Sequence, residues 1–228
     1  MVVKVLVSDF DKTLFTDNYK ENVRLVNEFV SKGNMFIIAT GRNLASLLSE
    51  LDDDLRFSYL VCNNGGIIFD TNLKVVYKKD IEINLARNVF DLLQKNVCVG
   101  NPLTCELDDY SDLFGNSCNS IVARIVNRDK SYNLLNQILN SSFAVNGYLS
   151  DRWINIIAEG VSKGNALMHI CDLIGYDYKE AFAVGDSWND ISMCEICNGY
   201  AIGSGCLELE RVCVKTIDNI GVLLELLK

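Results

Sequence analysis

One histidine and one proline occur in the 228 residues, and basic residues fall short of acidic ones, 21 against 30. The lone His169 limits Ser-His-Asp or Cys-His catalysis to one position. That position lies in the helical apolar pattern Ala166, Leu167, Ile170, Leu173, where a partly buried structural imidazole is expected. Scarce proline favours regular secondary structure. A net charge of −9 repels a phosphate backbone, and no lysine or arginine cluster with interleaved aromatics offsets it, so no nucleic acid partner is expected. No stretch reaches about 18 uncharged apolar residues, and the N-terminal segment lacks the basic, apolar and small-residue regions of a secretory leader. No membrane association and a cytoplasmic location are therefore expected. The nine cysteines are odd in number and without repeated spacing, and Cys194-x-x-Cys197 has no second pair, so they read as small buried hydrophobes.

What the chain does have is apolar content, 49% against 22% charged, enough for a full core in one large domain or a domain with an insert. Val2, Val3, Val5, Leu6 and Val7 read as a strand, 19–31 as a helix stopping at Lys32-Gly33, and 35–39 as a buried parallel strand. A helix over 44–51 and a strand over 59–62 continue the alternation of a doubly wound sheet. Asn63-Asn64-Gly65-Gly66 is a turn before short strands at 67–69 and 75–78. From Asp80 the texture changes to a helix (83–95), short strands around 97–99 and 121–126, a helix (131–139) and a strand (153–158). The acidic stretch 107–119 reads as a surface excursion. Alternation resumes with a helix at 165–174, strands at 181–184, 200–202 and 212–214, and a terminal helix at 220–227. The expected fold is α/β: a Rossmann-like doubly wound parallel sheet core (1–79 and 160–228) with an inserted α+β lobe (80–159).

The first strand runs into Asp9-Phe10-Asp11-Lys12-Thr13. Side chains at i and i+2 of extended chain share a side, and two carboxylates so placed need a shared cation or a proton. Magnesium, which takes oxygen ligands together with substrate phosphate, suits the pair; a solvated turn is the alternative. Three more loops stand at carboxyl ends of candidate parallel strands or beside them: Thr40-Gly41-Arg42, Lys163-Gly164 and Gly185 to Asp190. Together they offer carboxylates, a hydroxyl beside a glycine, a lysine and an asparagine, an inventory suited to phosphoryl transfer.

With these four motifs in this order, the chain resembles the haloacid dehalogenase superfamily of phosphatases, in the Cof-type branch whose cap is inserted after the third strand. The matched motifs are Asp9-x-Asp11-x-Thr13, Thr40, Lys163 and Gly185-Asp186-x-x-Asn189-Asp190. The resemblance implies Asp9 as nucleophile and magnesium ligand, and Asp11 as general acid and base with its backbone carbonyl on the metal. It implies Asp186 as the other carboxylate ligand, with Asp190 orienting that site from behind. Phe10, Thr40, Gly41, Lys163 and Asn189 would hold the phosphoryl group. Arg42 and Asn43 are close enough to reach substrate, although an ion pair fixing the loop explains Arg42 equally well. Tyr148, Trp153 and Asn155 are candidates for selecting the leaving group.

The resulting expectation is a magnesium-dependent phosphatase acting on a small phosphorylated metabolite, monomer or dimer. Two readings compete: a phosphosugar mutase, for which the cap's Arg87, Arg124, Arg128 and Arg152 form a sparse cationic set, and a non-catalytic sensor of phosphorylated ligands.

Overall fold

Uninterrupted apolar strands belong where both faces of a sheet are covered, and the first strand meets that condition. In the computed structural model, which describes residues 3–112, 114–141, 143–150, 152–203 and 206–228, strand β1 is Val5–Ser8 and every residue in it is buried. Val2 lies outside the described residues. The chain continues through α1 (Tyr19–Ser31), β2 (Met35–Ala39), α2 (Leu44–Leu48), β3 (Tyr59–Cys62) and the hairpin β4 (Ile67–Asp70) and β5 (Val75–Lys78).

An inserted segment follows: α3 (Ile83–Gln94), β6 (Leu103–Cys105), β7 (Tyr110–Ser111), β8 (Ser120–Arg124), α4 (Arg128–Leu139), β9 (Val145–Leu149) and β10 (Trp153–Ala158). The first sheet is then rejoined by α5 (Lys163–Ile174), β11 (Phe182–Gly185), α6 (Ile191–Cys194), β12 (Asn198–Ile202), α7 (Leu207–Val212), β13 (Lys215–Ile217) and α8 (Ile220–Leu226).

The larger sheet has the order β13-β12-β11-β1-β2-β3-β4-β5, parallel except for the β3-β4-β5 meander. Alternation along its strands feeds two cores. Leu6, Phe36, Ile38 and Leu60 pack on one face with Val26 and Phe29 of α1 and Leu223 of α8. Val5, Val7, Ile37, Ala39 and Val61 pack on the other with Leu167 and Ile170 of α5 and Met193 of α6. Because β1 is followed to one side by β2 and bordered on the other by β11, a crevice opens at the carboxyl ends of the strands.

The second sheet, β7-β6-β8-β10-β9, is antiparallel. Ile154 and Ile156 of β10, with Ile121 and Ala123 of β8, are buried with Val89 and Leu93 of α3 and Leu134 and Ile138 of α4. By alternation, Trp153 and Asn155 face the opposite way, where Asn155 stands across from Tyr148 on β9 and Val122 on β8. The lobe is tied to the core by Asn119, whose amide receives a bond from Asn63 (2.8 Å) and donates to the carbonyls of Gly66 (2.8 Å) and Lys79 (3.0 Å).

Several local expectations are corrected. Residues 97–99 form a turn, with only Val99 bridging to Ile125; Val97 is exposed, and three apolar residues without a partner strand do not make one. The polar excursion 107–119 does lie mostly at the surface, but it contains β7 and touches the core, where the Asp108 carbonyl accepts from the Ala45 amide (2.8 Å) and Asp109 from Asn43 (3.1 Å). Strands β6 and β9 lack the apolar run that marks strands such as β1 and β2, β9 because Asn146 and Gly147 dilute it. Val212 ends α7 and the strand falls at Lys215–Ile217, leaving Val214 exposed. Helices α4 and α5 start earlier than expected because Asn127 and Ser162 cap them, accepting from the amides of Lys130 and Asn165.

Candidate active site

The Asp9 amide donates to the Val184 carbonyl (2.9 Å), so the β1–β11 pairing carries Asp9 to the floor of the crevice, where it is 5% exposed. Beyond it the chain turns sharply. Lys12 has left-handed backbone (φ 60), and the Leu14 and Phe15 amides both donate to the Phe10 carbonyl. Phe10's ring is buried and stacks on Phe15 at 5.2 Å, anchoring the turn that carries Asp11. Thr13 is buried, and its hydroxyl has no partner among the described residues.

Lys163 opens α5, and its side chain is shut off from solvent. Nζ lies 2.5 Å from Asp9 Oδ1 and 2.6 Å from Asp190 Oδ1. Burial alone would depress this ammonium, but Asp190 and Asp9 outweigh it and hold its pKa above the ordinary lysine value. Burial pushes the Asp9 carboxyl well above the carboxylate range; Lys163 opposes that rise, and the charges of Asp190 and Asp186 reinforce it. The Asp186 carboxyl, pushed up chiefly by burial and then by Asp190, stands at about 6.

The three carboxylates Asp9, Asp186 and Asp190 each place an oxygen within 4.8 Å of the others. One lysine balances one of the three charges. Asp190 is fully committed: Oδ1 to Lys163, Oδ2 to the amides of Asp186 and Ser187 at 3.0 Å each. Gly185 permits this closeness, since a Cβ there would strike the Asp190 carboxyl. Asp9 Oδ2 and the Asp186 carboxylate have no partner among the described residues and remain as hard oxygen donors. Such a set fits a divalent cation such as magnesium, completed by water or phosphate oxygen; the Asp11 side chain is not in it.

Asp11 instead receives a two-pronged pair from Arg42, Nε to Oδ2 at 2.9 Å and Nη2 to Oδ1 at 2.7 Å. The guanidinium also donates to the Ser46 carbonyl and lies 5.3 Å from the centre of the Phe10 ring. Its pKa is raised, first by the bonds to Asp11. Thr40 is buried and accepts from the Arg42 amide (3.1 Å). The amides of Phe10 and Gly41 find no acceptor among the described residues, which suits them to an anion.

Asn189 has one amide hydrogen committed to Asn64 Oδ1 (2.8 Å). In sequence Asn64 reads only as part of a turn. Both it and Asn63 are buried with left-handed backbone, and two asparagines before two glycines are the available signal. Gly41 lies close beside it, and a Cβ there would meet the Asn64 side-chain amide at 3.2 Å.

A cavity of about 1380 Å³ covers these groups. Asp9, Asp11, Gly41, Arg42, Asn189 and Asp186 line its core side, and the inserted lobe contributes Tyr148, Trp153 and Asn155 to its wall, as well as Arg128 and Arg152. Arg87 packs over Phe114 instead, and neither Arg87 nor Arg124 reaches it.

The family description of haloacid dehalogenase-like hydrolases matches residues 6–110 and 101–220, which together span most of the chain. The chain belongs to this family. Similar proteins include the 5-amino-6-(5-phospho-D-ribitylamino)uracil phosphatase YcsE of Bacillus subtilis, 25% identical and covering 89% of this chain and 84% of that protein. A phosphoglycolate phosphatase of Methanoculleus marisnigri is 26% identical over 85% of this chain and 81% of its own length. A haloacid dehalogenase-like hydrolase of B. subtilis superposes with a TM-score of 0.86 at 15% identity, over 98% of this chain and 99% of that one. The likeness to that structure establishes the fold. The protein is thus a haloacid dehalogenase-like hydrolase, with a mixed α/β fold built on a parallel sheet. No described helix is long and apolar enough to cross a membrane.

Proposed function

We propose that this hydrolase is a magnesium-dependent phosphatase of small phosphorylated metabolites, working through an aspartyl-phosphate on Asp9. The observation that carries the reading is the asymmetry of Asp9: Oδ1 is tied to Lys163, and Oδ2 has no partner among the described residues at the cavity floor beside Asp186. A carboxylate held by one oxygen presents the other as an oriented nucleophile.

In this reading Asp9 Oδ2 forms the bond to phosphorus as the bond to the leaving oxygen breaks. Asp11 gives that oxygen a proton, then takes one from the water that releases phosphate and restores Asp9. Arg42 holds Asp11 in place between these steps. The Phe10 and Gly41 amides, Lys163, Thr40 and the second amide hydrogen of Asn189 receive the phosphoryl oxygens. Magnesium would be held by Asp9, the Asp11 carbonyl and Asp186, and when bound it neutralises charge on the transferring group. Asp190 fixes Lys163 and the Asp186 loop from behind. Residues 80–159 serve as the cap that excludes water. Both relatives named above are phosphatases of small phosphomonoesters by name, and all nine cysteines are unpaired thiols, as a reducing cytoplasm requires.

A mutase reading gains one observation, since Arg128 and Arg152 do reach the cavity. The test is phosphate release from a panel of phosphomonoesters with magnesium or with EDTA, beside Asp9→Asn. Release by the magnesium-loaded wild type alone supports the proposal. Isomerisation of a hexose phosphate without free phosphate would replace it by the mutase.

A further inference from the structure

The cavity carries more positive charge on its outer wall than one phosphoryl group uses. Arg128 is the first residue of α4 and donates to the Ser150 carbonyl (3.2 Å), while Arg152 belongs to the same β9–β10 turn as that serine. Both arginines line the cavity. Arg152 is exposed; its carbonyl accepts from the Ile125 amide (2.8 Å), and its guanidinium has no hydrogen bond or ion pair among the described residues. On the core side Arg42 is engaged by Asp11 and the buried Lys163 by Asp9 and Asp190, and Lys12 also lines the cavity beside Asp11. Asp109 is the cap's single carboxylate among the described residues of the wall, and it already accepts from Asn43 and from the Tyr110 amide. The same wall carries Trp153, 37% exposed, and Tyr148, an aromatic surface beside the charged one.

We propose that the alcohol portion of the substrate carries a second anionic group, a carboxylate or a second phosphate, received by Arg152 with Arg128, while Trp153 and Tyr148 cover the carbon skeleton between the two anions. This rests on the phosphatase reading for the position of the first anion. Guanidinium groups recognise carboxylate and phosphate alike through paired N–H donors. A neutral sugar phosphate would leave the Arg152 guanidinium unused, whereas a dianion would engage both ends of the cavity.

Phosphonates test the subsite without turnover, because their C–P bond is not hydrolysed by this chemistry. Binding of alkylphosphonates, ω-carboxyalkylphosphonates and α,ω-bisphosphonates of graded length can be followed by fluorescence, since both tryptophans, Trp153 and Trp188, line the cavity. At the best length the wild type should prefer a second anion by about tenfold, the value of one charge-assisted pair. The two anionic series separate carboxylate from phosphate as the natural terminus. Arg152→Gln should reduce the preference to about twofold and Arg152→Lys should recover part of it; as Arg152 is exposed, neither leaves a buried group unpaired. Equal affinity for neutral and anionic ends at every length, or an undiminished preference in Arg152→Gln, would overturn the inference. Magnesium-dependent phosphate release from neutral and anionic phosphomonoesters alike, measured in parallel beside Asp9→Asn, judges the phosphatase reading separately: release from none of them would sink that reading, whereas release without any phosphonate preference would sink the subsite alone.

Discussion

Replacing Lys163 by methionine keeps most of the side-chain volume and deletes one charge from a closed triad. Its Nζ lies 2.5 Å from Asp9 and 2.6 Å from Asp190, and the lysine and Asp190 side chains are wholly shielded from water. Removing one member of a buried ion pair leaves an uncompensated charge and costs about 3–5 kcal/mol. For a chain of 228 residues each kcal/mol corresponds to about 2–4 °C, so the metal-free variant should melt about 6–20 °C below the wild type at pH 8. The loss should depend on pH. With Lys163 gone, the buried carboxyls bind protons more tightly in the folded state than at the ordinary value of 3.8. Stability from such raised carboxyls is present at low pH and is lost as pH climbs from the ordinary value toward the folded one, at about 1.4 kcal/mol for each pH unit between the two. In the wild type the raised pKa of Lys163 keeps its ammonium charged throughout, so its contribution disappears only above the lysine range. Urea unfolding at about pH 5 and pH 8 should therefore show the gap between the two proteins widening with pH. Adding Asp190→Asn to the variant should recover part of the loss. A deficit below about 1 kcal/mol, or one independent of pH, would refute the triad as a buried, mutually neutralising group.

Other perturbations probe the remaining parts of the site. Magnesium binding to the metal-free protein, measured by calorimetry, should weaken by at least about tenfold per pH unit as pH falls below about 6, where the Asp186 carboxyl takes up a proton; Asp186→Asn should remove most of the affinity and make the remaining dependence shallower, leaving the share that the raised Asp9 carboxyl contributes. Arg42→Lys, which cannot reproduce the two-pronged bond to Asp11, should lower kcat by about tenfold with little change in melting temperature, read by steady-state kinetics. Gly185→Ala should destabilise by about 1–3 kcal/mol in thermal unfolding, because the added methyl meets the buried Asp190 carboxyl, whose bonds leave it no room to retreat.

Most strands of the larger sheet are legible in the sequence because burial on both faces imposes an unbroken apolar run, as in Val5–Ser8 and Met35–Ala39. The smaller sheet is only half legible: β6, β7 and β9 are short or diluted by polar residues, and pairing with neighbours distant in sequence stabilises them rather than their own pattern. The site's loops can be picked out one by one, since each carries its chemistry in adjacent residues. Asn64 cannot, because a turn-forming asparagine and one that braces Asn189 look the same until the backbone brings them together.

The sequence by itself determined the α/β alternation, the inserted lobe and the set of acidic, hydroxyl and lysine side chains at strand ends, because periodicity and local motifs are properties of neighbouring residues. Only the tertiary structure decided how those side chains divide the work. It committed both oxygens of Asp190 to partners inside the protein, closed Arg42 on Asp11, left Asp9 Oδ2 and the Asp186 carboxylate without hydrogen-bond partners among the described residues, and placed Arg128 and Arg152 on the cavity wall. Those assignments depend on contacts between residues such as Asp9 and Lys163, which stand 154 positions apart in the chain. Local pattern carries no information about distances across such separations; the packing of the two sheets sets them.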